Sequence, residues 1–114
     1  MAYFVMINEQ GPAWTPSRAM RDQEKWAEHA IFINGQVDAG VIIAAGPLGR
    51  GPEHRALLIV HSADEPTLRA AFAHDPWIQA GVLQIRRIEP WQILASDDRL
   101  DRVLAEVARG DHRD

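Results

Sequence analysis

A chain of 114 residues, 46% hydrophobic and 25% charged, is sized for one folded core. Such a chain buries roughly two thirds of its unfolded surface and has no room for a second core. Its net charge of −4 gives no electrostatic reason to expect nucleic acid or anionic membrane as a partner, and the absence of cysteine excludes disulfides, thiolate nucleophiles, zinc ribbons and iron–sulfur clusters together.

The opening MAYFVMINEQ has no basic stretch, and its apolar run is shorter than a signal h-region or a membrane span, which predicts a soluble cytoplasmic protein. Within it YFVMI (3–7) is aromatic and β-branched and is bounded by Asn8 and the Gly11-Pro12 turn pair, so it reads as a strand. From TPSRAM the pattern predicts a helix running to about Asp38, with Thr15 or Ser17 as N-cap, Pro16 in the first turn and Gly40 as the stop. Trp26, Ala30, Ile33 and Val37 form its expected core stripe, and His29 falls on the edge of that stripe.

VIIAA (41–45) and RALLIV (55–60) are two further strands, joined as a hairpin by GPLGRGPEH, which lacks the Gly-Lys-Ser/Thr ending of a phosphate loop. A second helix is expected from Ser62 or Asp64 through LRAAFA, with Ser62 and Glu65 at capping-box spacing. It ends at FAHDPWIQAG (72–81), where Pro76 biases Asp75 away from the helical region, so that Asp75 and Trp77 stand where an element stops. VLQIRRIEPWQIL (82–94) reads as the fourth strand, bent or bulged around Pro90. SDDRLDRVLAEVARGDHRD follows as a helical extension over 96–114, its apolar face made by Leu100, Val103, Leu104 and Val107, with a frayed tail as the competing reading.

Strand, helix, strand, strand, helix, strand is the order of an α+β sandwich with two helices on one face of an antiparallel sheet. Yet YFVMI, VIIAA and LLIV are apolar at successive positions and offer apolar groups to both faces. A second copy of the same sheet is the simplest cover for the other face, which predicts a homodimer.

None of the five histidines has HxH or HExxH spacing, so no metal site is expected. Ser17, Ser62 and Ser96 all stand at expected helix starts, where capping explains them, and no Ser-His-Asp triad is indicated. For His29 two readings stay open on spacing alone: a half-buried helix histidine bonded to a nearby carbonyl, or a ring held by packing at the edge of a cavity.

Helical His29, Gly40 eleven residues on, Gly46-Pro47, Asp75-Pro76-Trp77, Gly81 and Pro90-Trp91 occur in an order and spacing that resemble the YCII-related (YciI-like, DGPF-domain) family over residues 2 to about 94. The resemblance implies a ferredoxin-like βαββαβ fold of the dimeric α+β barrel type for residues 1–95, and a His–Asp pair carried by His29 and Asp75. It also implies kinship in fold to muconolactone isomerases, and at least one family activity that eliminates chloride from a chlorinated hydroxyhydroquinone. Such a pair makes chemical sense: a carboxylate bonded to one ring nitrogen fixes the tautomer and leaves the other nitrogen to accept a proton beside a carbonyl or a phenol. Trp26 and Trp77 would wall a small ring, and Gly46-Pro47 would let backbone approach it, although core packing alone would also account for the tryptophans. The expectation is a cofactor-free isomerase or lyase acting on a small cyclic or aromatic metabolite. Its rivals are a non-catalytic dimeric ligand-binding or accessory module and, by fold analogy, a cofactor-independent monooxygenase.

Overall fold

A computed structural model describes residues 2–97 together with Arg99, Leu100, Arg102, Ala105 and Glu106. In chain order the elements are β1 (Ala2–Gln10), α1 (Trp26–Asp38), β2 (Ile42–Pro47), β3 (Arg55–Ser62), α2 (Glu65–Phe72), α3 (Pro76–Ala80) and β4 (Leu83–Pro90), with a short 3-10 turn at Met20–Asp22 before α1. The strands form one antiparallel sheet in the order β2-β3-β1-β4, the ferredoxin-like arrangement expected. Phe4 and Met6 of β1, Ile42 of β2, Leu58 and Val60 of β3 and Ile88 of β4 make one buried layer, onto which Phe32 and Ile33 of α1 and Leu68 and Phe72 of α2 are packed. The opposite face carries Val5, Ile7, Leu57 and Ile59, paired Val5 to Ile59 and Ile7 to Leu57 across β1 and β3, away from the layer on which α1 and α2 are packed.

Both edge strands contain a one-residue irregularity. In β2, Ile42 pairs with Val60 and Ala44 with Ile59, so Ile43 is the extra residue. In β4, Ile7 faces Arg87 but Asn8 faces Ile85, so Arg86 is the extra residue. A side chain changes sheet face when its strand slips by one. Without the bulge, Arg86 and Gln84 would follow Ile88 on the helix-covered face; with it, Ile85 and Leu83 occupy that face instead. The pattern I-R-R-I, two polar residues between two apolar ones, is the sequence trace of this switch. Pro90, where the sequence suggested the distortion, is instead the last residue of the strand and pairs with Phe4.

Three further expectations need correction. The helix predicted from Thr15 or Ser17 begins only at Trp26, behind Lys25 in a left-handed conformation (φ 63°). The segment ahead of it is held by side-chain hydrogen bonds: buried Gln23 accepts from the Thr15 N–H through Oε1 and donates through Nε2 to the carbonyls of Thr15 and Arg18. Those bonds substitute for the helical ladder that the pattern at TPSRAM suggested. Val37, assigned to the core stripe, is 48% exposed, whereas Ile33 of that stripe does turn inward, joined by His29 and Phe32. The α2 cap is Asp64, whose carboxylate accepts from the Thr67 N–H at 2.8 Å, while Ser62 donates to the Asp64 carbonyl instead of building a capping box with Glu65. Of the C-terminal extension, Leu100 is helical and half-buried, whereas Val103, Leu104 and Val107 lie outside the described residues.

The loop after β1 is stitched to the end of α3: Gly11 N–H donates to the Val82 carbonyl at 2.8 Å and Ala13 N–H to the Gly81 carbonyl at 2.9 Å. A Cβ on Gly11 would overlap the Gly81 carbonyl, so this approach requires glycine, whereas Gly35 on the outside of α1 has open space around it. Gly11→Ala is therefore expected to lower stability by about 1–3 kcal/mol, the usual range for forced overpacking, and Gly35→Ala to raise it by about 1 kcal/mol through helix propensity. Thermal or urea unfolding of the two variants measures both, and equal effects would contradict the stitched loop.

Candidate functional site

The site begins with a proline. Pro76 ends the run from α2 and starts α3, leaving Asp75 extended (φ −66°, ψ 121°) as the N-cap of α3. In that position the Asp75 carboxylate accepts the Trp77 N–H through Oδ1 at 2.9 Å, so its direction is fixed by its own chain. The other partner is 46 positions away in sequence: His29 Nδ1 lies 2.9 Å from Asp75 Oδ1 and 3.1 Å from Oδ2. Asp75 is 1% exposed and His29 8%, which makes this a buried pair. A carboxylate so enclosed favours the tautomer with hydrogen on Nδ1, and Nε2 is then the nitrogen left for a ligand.

Trp77 completes the support. Its indole lies parallel to the imidazole, 3.9 Å between ring centroids at 9°, and its Nε1 donates to the Glu24 carbonyl at 2.7 Å. The second bond ties α3 to the backbone just ahead of α1, the helix that carries His29. Trp26 and Trp14 meet the same indole at 5.5 Å and 5.8 Å, the latter edge-on, and Trp14 in turn stacks on His54 at 4.5 Å and 8°. Trp77 thus backs the histidine as well as bordering the space beside it.

That space is a cavity of about 200 Å³ between α1 and the sheet. His29, Trp26 and Ile33 line it from α1, and Met20 and Trp77 from neighbouring segments; Asn8, Ala45, Pro47, Ala56, Leu58 and Leu83 line it from the sheet, and His54 borders it as well. An apolar cavity of about 150 Å³ is known to hold a benzene-sized molecule, so this volume suits a single ring. All six residues singled out in the sequence, His29, Asp75, Trp26, Trp77, Gly46 and Pro47, are brought together, five on the cavity wall and Asp75 directly behind His29. The Gly46 backbone borders the cavity, but a Cβ there would meet nothing within 4 Å. Its lack of a side chain is therefore not demanded by packing within the chain.

Two wall residues escaped the sequence reading. Asn8 looked like the polar residue that ends the first strand, yet β1 continues to Gln10 and Asn8 lies buried in mid-strand. His54 was set aside as a loop histidine without metal spacing. It is fixed by Trp14 and by a backbone pairing with Gln10, whose side chain also accepts the His54 N–H at 3.0 Å. Burial, and then the positive charge of His29, push the His54 imidazole below its ordinary value of 6.5. Among the described residues no group of three or more His, Cys, Asp or Glu is arranged to hold a metal ion, and no helix is long and apolar enough to cross a membrane.

A model of the YCII-related domain family matches residues 1–92. No curated protein matches the chain. Among solved structures, 5-chloro-2-hydroxyhydroquinone dehydrochlorinase (TftG) from Burkholderia phenoliruptrix AC1100, in complex with 2,5-dihydroxybenzoquinone, is similar with a TM-score of 0.52 and 16% identity, covering 78% of this chain and 93% of that one. At that identity the likeness establishes the fold.

The depressed His54 has a consequence for stability. The unfolded chain takes up this proton near 6.5 and the folded chain only at lower pH, so the contribution is present above about 6.5 and is lost as pH falls through the folded value. The His54 ring, followed by NMR, is expected to titrate below 6.5 and to move upward in His29→Gln, which removes the neighbouring charge. An unchanged midpoint in that variant would mean that the two rings do not interact.

Proposed function

We propose that this chain, which belongs to the YCII-related domain family, is a small-molecule enzyme that uses His29 as general acid/base and Asp75 as its orienting partner. The observation that carries the proposal is a buried imidazole bonded through Nδ1 to a buried carboxylate while bordering a ring-sized, mostly apolar cavity. A ligand in that cavity would meet Nε2 as proton acceptor, flat indole walls at Trp26 and Trp77, and backbone at Gly46-Pro47. Proton removal from a hydroxyl or an activated C–H of a small cyclic or aromatic metabolite is the chemistry such a base serves, of the isomerase or lyase type and requiring no cofactor. The similar fold of a dehydrochlorinase crystallised with a dihydroxybenzoquinone supports the choice of ring and reaction class.

The same fold with an intact pair could serve as a non-catalytic binding module, and the two readings separate in one assay. Hydroxylated and chlorinated hydroquinones and small lactones are incubated in deuterated buffer, following ring deuteration and chloride release. A substrate found in this way is expected to turn over at least about a hundredfold more slowly with His29→Ala, the usual size of a lost general base. Asp75→Asn should also slow it, since an amide favours the wrong tautomer. Binding of 2,5-dihydroxybenzoquinone without exchange or turnover of any compound would leave the module.

We also propose that the sheet face of Val5, Ile7, Leu57 and Ile59, turned away from α1 and α2, is closed by a second copy of the chain. Light scattering is expected to give a dimer at micromolar concentration, and a monomer with no concentration dependence would contradict it.

A further inference from the structure

Asn8 is 2% exposed, and its Oδ1 has no hydrogen-bond partner among the described residues. A buried carbonyl oxygen without a partner is costly and is rarely kept without a reason. The register explains how it arises. Asn8 sits in the middle of the sheet between Ala56 of β3 and Ile85 of β4, neither of which has a side-chain hydrogen-bonding group. In an unbroken ladder its partner on β4 would be Arg86, whose guanidinium would satisfy the carboxamide; the bulge removes Arg86 from that place. The side chain borders the cavity, where it stands on the sheet wall while His29 stands on the helix wall.

We propose that Asn8 is a specificity-determining residue of the cavity, its carboxamide hydrogen-bonding an oxygen substituent of a ring whose other side meets His29. The inference rests on the cavity being a ligand site, and adds to that reading the requirement that the ring carry a hydroxyl directed at the sheet. An unpaired carbonyl oxygen discriminates strongly, because a ring that lacks a matching donor leaves it unsatisfied in the complex as well. His54 borders the same space and gives a hydroxylated ring a further polar neighbour. Arg86, excluded by the bulge, would instead have filled the space with a charge. The register fault and the orphaned amide are thus two parts of one arrangement, in which the protein leaves a hydrogen bond for the ligand to complete.

The test compares two rings of nearly equal size, 1,4-hydroquinone and 1,4-difluorobenzene, by NMR titration of the wild-type protein, Asn8→Val and Asn8→Ala. The wild type is expected to prefer hydroquinone, with the Asn8 side-chain amide signals shifting on binding. Asn8→Val should weaken hydroquinone by about tenfold and leave difluorobenzene unweakened, while melting at a higher temperature because the orphaned group is gone. Should the valine variant fail to fold, Asn8→Ala reports the same loss of preference. If both rings bind and the preference for hydroquinone survives in the folded Asn8 variants, the assignment of Asn8 falls and the reading of the cavity stands. If the wild type binds neither ring, the aromatic reading of the cavity falls and takes this inference with it.

Discussion

The hydrogen bond between His29 and Asp75 is the constraint around which the other local choices are arranged, because it joins two groups that burial would otherwise penalise. A carboxylate at 1% exposure needs donors inside the protein, and Asp75 obtains them from the Trp77 backbone and the His29 ring. Removing either member of such a buried pair typically costs about 3–5 kcal/mol, since the survivor is left uncompensated. The geometry must therefore be set by rigid parts on both sides. On one side Pro76 and the N-cap geometry fix the carboxylate; on the other, α1 and the stacked Trp77 fix the ring.

That demand explains the otherwise odd stretch between β1 and α1. A helix starting at Thr15 would satisfy its own backbone locally, but it would leave no partner for the Trp77 indole and no bend before Trp26. The observed path has the Glu24 carbonyl receive Trp77 Nε1, Gln23 clamp Thr15 and Arg18, and Lys25 take a left-handed conformation so that α1 begins one residue later. A non-glycine residue in that conformation costs about 1–2 kcal/mol, a local strain that the surrounding bonds hold in place. The polar clamp and the strained turn place Trp26 and His29, and they hold Trp14, Met20 and Trp26 on a second buried cluster of Trp77, Val82 and Leu83, apart from the layer between the sheet and α1 and α2.

The order of elements was legible because each strand is a short β-branched run and each break is marked by Gly, Pro or Asp. Pro76 marked Asp75 as a break, and Asp75 is indeed extended, though α2 has already ended at Phe72 and Pro76 begins a further short helix that the sequence reading did not include. The resemblance in residue order paired that aspartate with His29, which periodicity alone could only put at the edge of a stripe. What spacing could not carry was register. Asn8 looks like a strand terminator because Asn is a poor strand former, and nothing local to it says that β1 runs on to Gln10. Alternation along β1 puts it on the face of Phe4 and Met6, but the residue that lies opposite it is decided by the extra Arg86 in β4, about 80 positions away. The helix start failed for a related reason: Thr15 and Ser17 beside Pro16 imitate a capped start, and the bonds that override it come from Gln23 and from Trp77 across the molecule.

The parallel contact between Trp77 and His29 also has an optical side. Indole emission responds to whatever lies against the ring, and here Trp77 and His29 are locked face to face at 3.9 Å, while Trp26 lies 5.8 Å from the same imidazole and Trp14 stacks on His54 at 4.5 Å. Three of the chain's four tryptophans thereby sit against the two cavity histidines, and the ultraviolet emission of the protein carries a signal from that wall without any label being attached.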